Sequence, residues 1–244
     1  VIRLDHALVE RGLCESRERA KRLILAGQIH VNAQLARKPS DAVKVEDALT
    51  LATPEKFVSR GGYKLEHALE QFQFNVKNLI TLDLGASTGG FTDCLLQRGA
   101  EKVFAVDVGH GQLAWKLRHD KRVVVMEKTN ARNLQAKQFP QPFDLAVIDC
   151  SFISLKKILP PAIPLLKSDG KIIALIKPQF EAGKIEADKG KGVITDPAIH
   201  QRVLAELKQF VLTQTGLRWQ NVVESPLLGP AGNKEFLVLI EKAV

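Results

Sequence analysis

The spacing of apolar residues along this 244-residue chain changes character near residue 60. Before that point the apolar runs are short. Leu4, Ala7 and Leu8 recur at helical intervals and Gly12 closes their segment. Ser16 stands at the N-cap position of a second helix, in which Ala20, Leu23 and Ile24 form one apolar stripe that ends before Gly27. Ile29 with Val31, and Val43 with Val45, alternate with polar residues at the two-residue period of half-buried strands. Residues 1–51 thus predict a small α+β domain, and residues 52–60 a connector in which Pro54 discourages regular structure. Residues 61–244 form a larger domain.

That domain opens with a helix from Tyr63, carrying Leu65, Ala68, Leu69 and Phe72 on one side. Strands are expected at 79–84, 102–107, 123–126, 145–149, 171–177, 219–224 and 235–240, with a helix over 199–212 after the Asp196-Pro197 start signal. Several of the strands are unbroken Val/Ile/Leu runs, as strands covered by helices on both faces require. The prediction is an α/β fold with a seven-stranded, doubly wound, Rossmann-like sheet whose ligands bind at the strands' carboxyl ends. The glycine- and lysine-rich segment 181–196 reads as a flexible loop over the substrate side.

Composition narrows the functional class. A net charge of +8 and a pI near 9.4 favour a polyanionic partner such as nucleic acid. Arg17, Arg19, Lys21 and Arg22 crowd the polar faces of the second helix and predict phosphate contacts, with Arg3 and Arg11 as further candidates. Cys14, Cys94 and Cys150 are too scattered for a disulfide framework or a metal site, which points to a reducing cytoplasm and no metal. No signal peptide is expected from the sequence given, and no apolar run approaches the roughly 18 residues that span a bilayer, so no membrane partner is expected.

The first strand of the larger domain runs into Asp83-Leu84-Gly85-Ala86-Ser87-Thr88-Gly89-Gly90-Phe91-Thr92. A glycine turn between strand and helix brings backbone N–H groups close to a ligand. Ser87 stands where the dinucleotide fingerprint needs a second glycine. The next strand ends in Asp107, followed by Val108, and Asp107 is placed to accept hydrogen bonds from ribose hydroxyls. Asp83 would repel a phosphate but suits an ammonium group. S-adenosylmethionine (SAM), with an amino-acid end and no phosphate, fits this loop better than NAD or ATP. Asn130, after the third strand, is placed to read an adenine edge.

Lys64, Asp149, Lys177 and Glu235 form the second constellation. Two lysines and two carboxylates at one sheet edge carry a desolvation cost unless they pair, which marks them as chemistry. Lys177 closes an apolar strand that Pro178 stops at once. Lys-Pro-Gln-Phe stands where amino-directed methylases place Asn-Pro-Pro-aromatic, and Cys150 lacks the Pro-Cys context of cytosine-carbon methylases, so it reads as core packing.

On the stretches 58–65, 83–92, 105–113, 129–132, 149–155, 177–183 and 232–237, the chain resembles the TlyA (hemolysin A) family of ribosomal RNA 2′-O-methyltransferases, with a catalytic domain of the FtsJ type. Residues 1–51 resemble the small RNA-binding domain shared with a small-subunit ribosomal protein, the S-four domain. The resemblance implies SAM as cofactor, cytidine ribose hydroxyls of rRNA in ribosomal subunits as substrate, and a catalytic tetrad of Lys64, Asp149, Lys177 and Glu235. Lys177 would act either as a neutral base or as an ammonium that stabilises the developing oxyanion. The rival readings are a non-catalytic RNA-binding assembly factor and, on the family's hemolysin name alone, a membrane-lytic protein.

Overall fold

The computed structural model describes residues 1–52, 55–214 and 216–242, so Pro54 of the expected connector lies outside the described residues. The chain divides into two compact units, 1–56 and 57–244. The division falls inside the expected connector: Phe57 is buried in the second unit, where its ring meets Tyr63 edge-on at 5.1 Å.

The first unit contains strand β1 (Ile2–Arg3), helices α1 (Leu4–Glu10) and α2 (Arg17–Leu25), and strands β2 (Ile29–Val31), β3 (Gln34–Leu35), β4 (Ala42–Val43) and β5 (Leu49–Leu51). β1 pairs with β4, and β3-β2-β5 make a three-stranded antiparallel sheet. The anticipated stripe residues Leu4, Ala7, Leu8, Ala20 and Ile24 form its core with Ile29 and Val43. Ser16 caps α2 by accepting a hydrogen bond from Arg19 N at 3.3 Å. Val45, expected in a strand, is instead 84% exposed. The Arg11 guanidinium gathers the carbonyls of Lys44, Val45 and Asp47 and holds this stretch as a turn.

The second unit runs α3 (Gly61–Gln71), β6 (Ile80–Leu84), α4 (Gly90–Gln97), β7 (Lys102–Val106), α5 (Trp115–Arg118), β8 (Val123–Met126), β9 (Phe143–Ile148), α6 (Leu159–Ala162), β10 (Leu166–Ile176), α7 (Pro178–Glu181), α8 (Lys184–Lys189), α9 (Pro197–Thr213), β11 (Leu217–Glu224) and β12 (Phe236–Lys242). The sheet order is β11-β12-β10-β9-β6-β7-β8. β12 runs antiparallel to both neighbours and the other pairings are parallel. Alternate strand residues bury on opposite faces. Leu82, Leu84, Ala146 and Ile148 pack with α9, whereas Leu145, Val147, Ile173 and Leu175 pack with α3 and α4. Asp196 caps α9 through Ala198 N at 2.8 Å, at the start signal read from sequence. The segment expected as a loop over 181–196 contains the short helix α8, so it is only partly irregular. Among the described residues no helix is long and apolar enough to cross a membrane.

Two consequences of this topology build the site. The chain leaves β6 toward β7 and β8, then returns to the other side of β6 as β9, which opens a crevice at the carboxyl ends of β6 and β9. Because β12 is antiparallel, its first residue, Phe236, pairs with Ile176, the last residue of β10. Glu235 therefore arrives at the same sheet edge as Lys177.

Candidate active site

Two adjoining cavities of about 590 and about 850 Å³ open at this edge and share Gly85, Ser87, Asp149, Ser151, Phe152 and Phe180. The smaller is walled by all four of Lys64, Asp149, Lys177 and Glu235. They stand as two lysine–carboxylate pairs. Lys64 Nζ donates to Glu235 Oε2 at 2.5 Å, with both side chains buried. Lys177 Nζ lies 2.6 Å from Asp149 Oδ1 and donates to Ser151 Oγ at 2.8 Å. The first pair is the more deeply buried. The second faces the junction of the two cavities, since Asp149 and Ser151 wall both.

The loop after β6 shapes the crevice floor. Gly85 has φ +85, and a Cβ there would come within 2.5 Å of the Asp149 carbonyl oxygen, so the two strand ends meet through bare backbone. Gly90 opens α4 so close to α3 that a Cβ would strike Ser59 Oγ at 2.3 Å and Gly62 N at 2.9 Å. Ser87 and Thr88 line the smaller cavity, while Gly89 turns the chain into α4. Asp107 accepts from Ser87 N at 2.8 Å and from Gly109 N at 2.7 Å. It lines the larger cavity with Val108 and Asn130, and a carboxylate has lone pairs left for further donors. Asn130 Oδ1 accepts from Arg132 N at 3.0 Å, leaving its amide N–H groups uncommitted to that cap.

Asp83 is placed differently from the expectation of direct ligand contact. It lies beneath the loop, 0% exposed, and walls neither cavity. Thr92 Oγ1 donates to its Oδ2 at 2.6 Å, while Oδ1 is buried with no hydrogen-bond partner among the described residues. Burial pushes its carboxyl up to about 7, against the Thr92 hydrogen bond. Cys150 packs against the core in the wall of the larger cavity, where burial, then the neighbouring Asp149, raises its thiol to about 12, far from a nucleophile's range.

Sequence reasoning missed several residues here. Phe152 is 90% exposed at φ +62, a left-handed conformation that costs a bulky residue about 1–2 kcal/mol. Its ring lies 5.1 Å from that of Phe180. Asn233, 1% exposed, donates to Gly192 O and accepts from Ile194 N, both at 2.8 Å, and so ties the segment after α8 to the approach to Glu235. Arg60, in the wall of the smaller cavity, donates from Nη2 to Leu228 O at 2.6 Å. Glu181 accepts from Ser154 Oγ at 2.6 Å and Leu155 N at 2.7 Å, joining the ends of β9 and β10. These partners are separated by 26 to 168 residues, beyond the reach of any local pattern.

The basic candidates of the first unit sort into two groups. Arg3 and Arg17 reach the buried Asp5 at 3.0 Å each, and Arg3 foremost holds its carboxyl well below the usual carboxylate range. Arg11 serves the turn carbonyls, and Lys21 pairs with Glu18 at 2.8 Å. Arg19 and Arg22 are exposed and make no ion pair among the described residues.

The donor set suits SAM. Acidic side chains, Asp107 and Asp149, wall the larger cavity at the strand ends, and the loop from 83 to 92 carries no lysine or arginine for a phosphate. Residues 57–242 match the family model described as FtsJ-like methyltransferase, and residues 2–49 match the S4 domain. The fold and the site define a SAM-dependent methyltransferase of the FtsJ-like class, joined to an S4 domain. The chain is 47% identical over 239 residues to "16S/23S rRNA (cytidine-2′-O)-methyltransferase TlyA" of Mycobacterium tuberculosis, covering 97% of this chain and 88% of that protein. It is 41% identical to "Hemolysin A" of Brachyspira hyodysenteriae, covering 97% and 98%. A solved structure, "Putative hemolysin from Streptococcus thermophilus", superposes with a TM-score of 0.76 at 43% identity, over 99% of this chain and 88% of that one. Within the FtsJ-like class the chain belongs to the TlyA (hemolysin A) family.

Proposed function

We propose that this protein methylates the 2′-hydroxyl of cytidine in ribosomal RNA, with SAM as donor. The observation that carries the reading is the pairing of Lys64 with Glu235 and of Lys177 with Asp149 in the wall of one cavity beside the glycine turn. SAM supplies a methyl group on a sulfonium, which leaves readily once an oxygen nucleophile is aligned. The remaining work is orientation and proton management.

Lys177 is the group suited to that work. Its ammonium is held at the cavity junction by Asp149 and Ser151, where it can hydrogen-bond the ribose oxygen and stabilise negative charge developing there. The same position serves a neutral Lys177 that accepts the hydroxyl proton. Lys64 pairs with Glu235 and holds that carboxylate in the wall of the cavity. The exposed ring of Phe152, backed by Phe180, gives an unstacked base a face on which to rest. Asp107 and Asn130 would hold the ribose and adenine ends of SAM, with Gly85, Ser87 and Thr88 lining its course. Asp83 would support that loop from below.

Arg19 and Arg22 of the first unit are the foremost phosphate contacts, and the protein's place is the cytoplasm, where ribosomal subunits are found. The reading is tested by transfer of labelled methyl from SAM to isolated ribosomal subunits. Lys177→Ala should bind SAM with near-parental affinity and transfer no label. Full transfer by that variant would remove the proposed role of Lys177. SAM binding without transfer by the parent chain would favour a non-catalytic assembly factor.

A further inference from the structure

An ammonium carries three N–H donors. On Lys177 one is taken up by Ser151 Oγ, 2.8 Å away, while Asp149 Oδ1 pairs with the ammonium as an ion at 2.6 Å without hydrogen-bond geometry, which leaves N–H groups for a substrate oxygen. A four-carbon side chain tethered by a single carboxylate can still swing about that contact. Adding the directional hydrogen bond to Ser151 fixes the nitrogen and so orients its remaining N–H groups. We infer that Ser151 is a positioning residue for methyl transfer, acting through Lys177, an inference that rests on the methyltransferase reading of this site.

Three observations support it. Ser151 walls both cavities, which places its hydroxyl where the two meet. Phe152, the next residue, adopts φ +62, so the chain turns sharply after β9, and within this turn Ser151 Oγ reaches Lys177 at the end of the adjacent strand β10. Ser151 is also exposed and belongs to no apolar cluster, so the core does not demand it. As a neutral acceptor the hydroxyl holds the lysine without adding a second negative charge beside a nucleophile that must itself develop negative charge. A carboxylate at 151 would hold the lysine equally well but would oppose that charge.

The test uses the full chain, SAM and isolated ribosomal subunits. Ser151→Ala should lower kcat about tenfold, the order expected for losing a hydrogen bond to a charged group, while KM for the subunit, the Kd for SAM and the melting temperature stay within error. Ser151→Thr, which keeps the hydroxyl, should restore kcat to within about threefold of the parent. Ser151→Val, of the same shape as threonine but without the oxygen, should not. A kcat for Ser151→Ala within twofold of the parent overturns the inference, as does equal activity of the Thr and Val variants. Failure of the parent chain to transfer methyl to any subunit would instead overturn the functional reading.

Discussion

Lys64 and Glu235, 171 residues apart in sequence, meet at 2.5 Å with less than a tenth of either side chain exposed. Neither ion can be removed alone without stranding the other. Lys64→Ala or Glu235→Ala should each destabilise the second unit by about 3–5 kcal/mol, read by denaturant unfolding, and abolish methyl transfer. The double variant Lys64→Met, Glu235→Leu should recover most of the stability and none of the activity. Single variants as stable as the parent would show that neither ion depends on the other for its burial.

Gly85→Ala should impair SAM binding at least tenfold, because a Cβ would press to 2.5 Å from the Asp149 carbonyl oxygen and the backbone is already at φ +85. Calorimetric titration with SAM reads the loss. An unchanged Kd would mean that the strand ends can part without disturbing the ligand.

Asp83 gives the second unit a defined pH response. Its folded carboxyl titrates near 7 against an ordinary value of 3.8, so the folded state holds a proton that the unfolded state has already lost. That contribution to stability is complete below about pH 4 and is lost as pH rises through 7, with a size on the order of 4 kcal/mol. Asp83→Asn should flatten the decline between about pH 4 and 7 in unfolding experiments. A decline of parental steepness in the Asn variant would assign it to another group.

In the first unit, Arg19→Ala and Arg22→Ala should each weaken RNA binding and reduce the slope of log K against log salt by about one, with stability changed by less than about 0.5 kcal/mol. Arg17→Ala should act differently. It removes a partner of the buried Asp5, so its larger effect should fall on thermal stability. Asp5 is held low in pKa, hence its contribution is present above the ordinary carboxylate range and lost as pH falls below it. Equal salt slopes for the Arg19 variant and the parent would remove that residue from the RNA contacts.

The strand cores were legible in the sequence because burial on both faces demands unbroken apolar runs. Val123–Met126 falls where the sequence placed it, and the other strands shift by one to five residues at their ends. The Ser16 and Asp196 caps were legible because a short polar side chain before an apolar helix has a local mechanism. Asp149, Lys177 and Glu235 were legible as charges at strand ends and Lys64 as a charge at the start of a helix, but their division into two lysine–carboxylate pairs was not. That division depends on β12 running antiparallel beside β10, a long-range register that no residue near Glu235 encodes. Arg11 was misleading for a related reason. On sequence it is one more basic residue, and only the fold supplies the carbonyls of Lys44, Val45 and Asp47 on which its guanidinium rests. Ser151 carried no signal at all, since a serine in a loop has many uses.

The position of the transferred methyl group tests the account most directly. Isolated ribosomal subunits methylated by the parent chain with SAM should show a phosphodiester bond resistant to alkaline cleavage on the 3′ side of a cytidine, absent when Lys177→Ala is used. A methyl group found on a base, with every phosphodiester bond still cleaved by alkali, would contradict ribose methylation by this site.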